Sequence, residues 1–201
     1  MLLCALKKYD CRDFQKNMKP LKELSRIDFG CYDSALSKGE ILYLQLKNFD
    51  ENNQFLANVD AFVEEDEKYN KNLLLENDIL LPSKGTRIFA TLFRAQWGKA
   101  VASSIFYVLR VDSAIVLPAY LATILNLPQY QQQLWQMGGG SNIFSLRKKE
   151  LEDLQIPIPP LKIQQQISDL NLLFQQKNIL RQQMIQKERQ LYQSIIHKLI
   201  S

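Results

Sequence analysis

Between Lys84 and Arg110 the chain carries five cations, Lys84, Arg87, Arg94, Lys99 and Arg110, and no carboxylate. Gln96, Trp97, Gly85 and Gly98 are interspersed among them. Guanidinium, amide and aromatic groups delivered from loops are the types that hold phosphates and read base edges, so the chemistry on offer is recognition of nucleic acid. Arg87 and Arg94 are the candidates for base reading, because a guanidinium engages guanine through two hydrogen bonds. Lys84 and Lys99 suit phosphate as point charges. Tyr32 and Lys38 are expected as neighbours on the same DNA-facing surface. For Arg94 and Arg110, at predicted strand ends, a competing role is pairing with Glu64-Glu65-Asp66-Glu67. That run is the centre of a segment from Lys38 to Asp78 holding ten acidic and four basic residues, and a charge run is ordinarily a solvated face.

Catalytic constellations fail on inspection. The single histidine, His197, lies near the end of a helical stretch with no triad or metal partner in its surroundings. Gly138-Gly139-Gly140-Ser141 lacks the lysine of a phosphate-binding loop and follows no strand, so it reads as a connector. Asn126-Leu127-Pro128-Gln129-Tyr130 lacks the paired prolines of an adenine-methyltransferase loop. Ser83-Lys84-Gly85-Thr86 could cradle an anion in its amides, with a tight turn as the default. Cys4, Cys11 and Cys31 include no CxxC pair and have no histidine nearby, which makes neither a zinc site nor a disulfide framework. No catalytic residue, metal or cofactor is therefore expected. Unpaired cysteines point to a reducing, cytoplasmic setting. The apolar start is cut by Lys7, Lys8 and Asp10 before a signal-peptide core could form, and no membrane partner is expected.

The elements that must position these groups are of mixed type. At 201 residues, 46% hydrophobic, 23% charged and net +4, the chain is an ordinary globular protein with length for one domain and an extension. Strands are predicted at 41–46, 78–81, 88–93 and 101–111, punctuated by the polar cluster 48–53, Pro82, Gly85 and Gly98. After Pro118 the apolar residues Tyr120, Leu121, Ile124 and Leu125 share a helical face, which Pro128 ends or kinks. Ser145 is the predicted N-cap of a short helix running to Leu154, supported by Lys148/Glu152 and Lys149/Asp153 at i, i+4. Ile156-Pro157-Ile158-Pro159-Pro160 reads as an extended hinge.

From Leu161 to Ile200 there is neither Pro nor Gly, and Ile163, Ile167, Leu170, Phe174, Leu180, Met184, Leu191 and Ile195 recur near the helical period. Forty residues of helix span about 60 Å, more than the preceding body can cover. Lys177 and Glu188 fall on or beside the stripe, which favours an antiparallel pairing over a long parallel coiled coil. No second long helix exists in the sequence, so the covering partner is another molecule: a second copy, another subunit, or both. The expected class is α+β, a twisted mixed-sheet domain over 1–156 with short helices, then a hinge and one long C-terminal helix over 157–201 that pairs antiparallel with a second copy.

Several ordered blocks resemble the specificity subunit of type I restriction-modification systems. Lys19-Pro20-Leu21-Lys22-Glu23-Leu24-Ser25-Arg26-Ile27 through Gly30 is similar to the opening of that family's target recognition domain. Tyr43-Leu44-Gln45-Leu46-Lys47-Asn48-Phe49 resembles its first core strand. Asn77-Asp78-Ile79-Leu80-Leu81-Pro82-Ser83-Lys84-Gly85-Thr86 resembles its internal Gly-Asp-Ile-Leu block, with Asn77 replacing the glycine. Leu151 through Leu161, with Gln164 or Gln165 and Ile167, resembles the junction into the family's long helix and is the most specific block. The resemblance implies a non-catalytic chain that reads double-stranded DNA for methyltransferase subunits and, through them, a restriction subunit. Family members normally carry two recognition domains and two antiparallel helices, so with one of each this chain looks like a half-subunit. Two other classes stay in view: a recognition fragment of a fused methyltransferase-nuclease, and a coiled-coil scaffold without DNA affinity.

Overall fold

The computed structural model describes residues 17–139 and 143–200. Eleven strands among these residues form one four-stranded, one three-stranded and two two-stranded sheets. The four-stranded sheet is antiparallel, ordered β2 (Ser25–Phe29), β9 (Phe106–Val111), β5 (Ile79–Pro82), β7 (Thr91–Leu92). The three-stranded sheet joins β4 (Phe62–Val63), β3 (Ile41–Leu44) and β8 (Ala100–Ala102), with β3 and β8 parallel. It is a mixed α+β architecture, as expected from the sequence.

All four residues of β5 are buried, because both faces of this strand are covered. Ile79 and Leu81 point into a core with Leu24, Tyr107, Leu109, Tyr120 and Leu125. Leu80 points the other way, toward Phe49, Phe89, Phe93 and Phe106. Covering on two faces explains why Ile79-Leu80-Leu81 is a continuous apolar run rather than an alternating one. Asn77, just upstream, has φ 70°, so the asparagine does adopt the left-handed turn that a glycine would otherwise supply.

Five local expectations are corrected. The stretch 88–93 contributes only Thr91–Leu92 as strand β7, since Phe89 leaves the sheet edge to fill the aromatic core. The stretch 101–111 is two strands in different sheets, β8 and β9, separated by a turn in which Phe106 N–H donates to the Ser103 carbonyl. Pro128 does not merely end the helix α1 (Pro118–Leu125); it opens a second, α2 (Pro128–Met137), as its first residue, where its missing N–H costs nothing. Ser145 is not an N-cap but part of β10 (Phe144–Ser145), paired with β6 (Lys84–Gly85); the short helix α3 (Lys148–Glu152) starts after Arg147. Finally, the proline stretch is extended but not a free hinge, because β11 (Gln155–Pro157) pairs antiparallel with β1 (Met18–Pro20). Cys4, Cys11 and the second half of the Gly-rich connector, Gly140 and Ser141, lie outside the described residues.

The helix α4 runs over the whole predicted span, Leu161–Ile200. Its first turns dock on α1, and there Gln164, wholly buried, is the pivot. Gln164 donates to the carbonyls of Pro159 (2.8 Å) and Ile115 (3.1 Å) and accepts from the Leu117 amide at 2.8 Å. A buried amide with its hydrogen-bonding groups satisfied fixes an orientation that an apolar residue would leave open. Beyond Asn171 almost every residue of α4 is exposed, including Leu173, Phe174, Met184 and Leu191, each about three-fifths exposed. No helix among the described residues is long and apolar enough to cross a membrane.

Candidate nucleic-acid interface

β3 delivers a short 3-10 turn (Leu46–Asn48) and then a loop from Phe49 to Phe55. The loop is built by local polar bonds: the Asp50 carboxylate accepts from the amides of Asn52 (2.9 Å) and Gln54 (2.7 Å), and Asn53 takes φ 61°. Such an Asx turn is why a polar run folds tightly here instead of extending the strand. Aromatic packing anchors both ends. Phe49 sits 5.4 Å from Phe89, and Phe55 stacks on Trp97 at 4.2 Å with an interplanar angle of 13°.

Arg87 holds this loop from beneath. Its guanidinium donates to the carbonyls of Asp50 (2.5 Å), Phe49 (2.9 Å) and Leu46 (3.3 Å), and it lies 5.6 Å from the Phe89 ring. The Leu46 and Asp50 carbonyls also accept the amides of Phe49 (3.3 Å) and Asn53 (3.0 Å), so the arginine adds a second donor to each and ties the turn and the loop to one side chain.

Across from the loop, the 3-10 turn Ala95–Trp97 is set by Glu76, which accepts from the Ala95 amide at 2.6 Å and from Arg94 at 3.1 Å. These two donors, the amide first, hold the Glu76 carboxyl below the usual carboxylate range. Arg94 also donates to Asn77 Oδ1 at 2.8 Å. Neither Arg94 nor Arg110 pairs with the run 64–67. Arg110 grips Asp78 through Nε and Nη2, while Lys99 is the residue that reaches that run, through Glu65. The Lys99 ammonium holds Glu65 below its ordinary value.

Between these elements and α4 lies a groove of about 540 Å³. Its walls combine Asn52, Gln54, Arg94 and Gln96 from the body with Gln165 and Gln175 from the helix. Asn171 bonds to Thr123 at 3.1 Å, and Gln182 reaches Asn52 at 3.4 Å, closing the groove along the helix. Amides, one guanidinium and the Trp97 edge in a single concavity can offer paired donors and acceptors to base edges.

Of the residues singled out from sequence, the groove brings together Arg94 and Gln96. Arg87 stands behind its wall, and Lys99 is tied to Glu65. Lys84 is exposed on β6, whose Gly85 pairs with Phe144, so the amides of that turn serve the sheet rather than an anion. Tyr32, 92% exposed, and Lys38, also exposed, lie on a separate segment. That segment is pinned by Asp33, which bonds the Tyr69 hydroxyl, Lys68 (2.9 Å) and the Ser34 amide (2.7 Å). These donors, led by Tyr69, hold the Asp33 carboxyl down at about 2. The residues that sequence reasoning missed are Asn52, Gln54, Gln165 and Gln175. The run Asn52-Asn53-Gln54 reads in the sequence only as a turn former, Gln165 only as part of the junction block, and Gln175 carries no signal that sets it apart from the other glutamines of the helix.

The family model described as the type I restriction modification DNA specificity domain matches residues 17–187. Among solved structures, the HsdS subunit of Thermoanaerobacter tengcongensis is similar with a TM-score of 0.60 at 15% identity, over 80% of this chain and 37% of that one. The S subunit of the type I restriction-modification system of M. genitalium gives 0.58 at 16% identity, over 80% and 39%. A third, described as the structural basis of complex assembly and conformational transition of the type I R-M system, gives 0.65 at 17%, over 88% and 43%. The chain thus spans about two-fifths of the length of these structures. No curated protein sequence matches it.

Proposed function

The chain belongs to the type I restriction modification DNA specificity family, and from that premise we propose that its sheet body, over 1–156, reads one half of a bipartite DNA target. Membership makes it a specificity chain rather than a catalytic one. The observation that carries the reading is the continuity of the family match from the sheet body through the proline junction and along α4 to residue 187. This supports treating body and helix as one unit. In this reading the groove walls and the neighbouring exposed cations take DNA.

The proline segment and long helix over 157–201 serve as connector and ruler. Its stripe is open to solvent at Leu170 and Phe174, 50% and 59% exposed, a contiguous apolar surface of the kind that marks an interface. A second copy covers it, and the pair docks methyltransferase subunits and, through them, a restriction subunit. The similar structure from a study of complex assembly in a type I R-M system supports a place for this chain in a larger assembly.

Two measurements test the reading. The isolated protein should retard mixed duplex DNA in a gel and lose that retardation as salt rises, because phosphate contacts release counterions; a scaffold without DNA affinity would show no retardation. Replacing Leu170 and Phe174 together with Asp should turn a sedimenting dimer into a monomer by burying unpaired charge. A wild-type protein that is monomeric at tens of micromolar, an order-of-magnitude choice for a modest interface, would overturn the pairing.

A further inference from the structure

The exposed face of α4 is spaced more regularly than its apolar residues alone suggest. From Ile167 to Ile195 it steps by three and four residues in strict alternation, through Leu170, Phe174 and Met184 to Leu191, and three charges, Lys177, Arg181 and Glu188, occupy steps of the same series. The residues that face the body, Gln164, Ser168, Asn171 and Gln182, lie off this series. Ile167 still packs on the core of the body, and from Leu170 onward the stepped face is open, a heptad seam in geometry with three ionic positions in its middle.

Three charges in a seam restrict which pairings are tolerable, since a buried charge left without a partner costs several kcal/mol. A parallel in-register pair would set Lys177 against Lys177, Arg181 against Arg181 and Glu188 against Glu188. An antiparallel pair with Phe174 opposite Leu191 behaves differently. It puts Leu170 opposite Ile195, Lys177 opposite Glu188, and Arg181 opposite Met184, where the arginine stem lies on the methionine and its head reaches the same Glu188 one turn away. Shifting this pair by a heptad one way sets Arg181 against Lys177 and Glu188 against Leu170. Shifting it the other way sets Lys177 against Ile195 and Glu188 against Met184. Of these arrangements one pairs both partners of the ionic step.

We propose that α4 pairs with the α4 of a second copy in that single antiparallel register, fixed by two symmetry-related Lys177–Glu188 contacts, with the two-fold axis passing between Gln182 and Gln183. The proposal rests on the reading above that a second copy covers the helix, and adds the register. The charged steps act as a selector: they lower the stability of the seam and exclude its slipped forms, the role best attested for polar groups at seam positions.

The test uses the full chain. Carbodiimide, which joins a lysine directly to a carboxylate, should yield a covalent dimer whose digest contains Lys177 linked to Glu188. Eleven residues of one helix separate these groups by about 16 Å, so the link can form only between copies. In sedimentation, Lys177→Glu and Glu188→Lys should each weaken dimerisation about tenfold, as charge opposition at a seam position does, and the double reversal should recover wild-type affinity. A wild-type monomer would overturn the pairing itself. A wild-type dimer whose single reversals are neutral, whose double reversal shows no recovery, or whose crosslink joins Glu188 to a different lysine would overturn the register alone.

Discussion

Arg110 and Asp78 face each other across adjacent antiparallel strands, with Arg110 Nε and Nη2 each 2.8 Å from a different Asp78 oxygen. Asp78 is almost wholly buried, and its carboxylate also accepts from the Leu75 amide at 2.8 Å. Arg110 continues to the Leu73 carbonyl at 2.7 Å. One ion pair therefore ties the segment 73–78 to the central strand β9. Arg110→Ala strands a buried carboxylate and should cost about 3 kcal/mol of stability, read from the denaturant midpoint, with little change in DNA affinity per folded molecule.

The cations of the 84–110 segment should separate by role. Arg94→Ala should cost about 1–3 kcal/mol of binding and relax sequence preference, whereas Lys84→Ala or Lys99→Ala should weaken all sequences alike and flatten the salt slope. Arg87→Ala should act through the loop rather than through a lost base contact, because the carbonyls of Leu46, Phe49 and Asp50 each lose a donor; it should lower thermal stability along with affinity. Binding measured across a salt series for the four variants checks this, and unchanged affinity in all four would place the DNA face elsewhere.

Acid should loosen the segment around Tyr32. Asp33 has its pKa lowered from 3.8 to about 2 by Tyr69, Lys68 and the Ser34 amide. A carboxyl depressed in the folded state contributes stability that is complete well above its unfolded value and is lost as pH falls through the folded one. The contribution should therefore be constant above about pH 5 and fade between about 4 and 2. Asp33→Asn should lower the denaturant midpoint at pH 7 and converge with wild type near pH 2; a constant gap down to pH 2 would refute the assignment.

Methylation in the complete system should be bipartite, with two inverted copies of one half-site around a fixed non-specific spacer, because a two-fold pair presents two identical readers. Inserting one heptad in the middle of α4 should lengthen the spacer and leave the half-sites unchanged. Methylome sequencing that returned one contiguous asymmetric motif would refute this.

The sequence was most legible where one element owns its environment. α4 is a long helix with neither Pro nor Gly, so periodicity alone gave its span from Leu161 to Ile200. The strand Ile79–Pro82 was legible because a short apolar run between turn formers has few other uses. What stayed hidden depended on distant partners. Ser145 has the chemistry of an N-cap and becomes a strand residue only because Lys84 lies beside it. Ile156 reads as a linker residue, and Lys19 gives it a strand partner. At the candidate site the arginines were legible as donors, but not their acceptors. That Arg87 turns inward is decided by three carbonyls that no side-chain pattern reports.

The pairing of Met18–Pro20 with Gln155–Pro157 brings the strand that leads into the sheet body beside the strand that leads out of it. A body whose two ends meet has the form of a plug on a socket: it can be exchanged between frames without stretching or cutting anything inside it. Gene crossovers upstream of Met18 and near Pro160 would carry the whole body from one long helix to another.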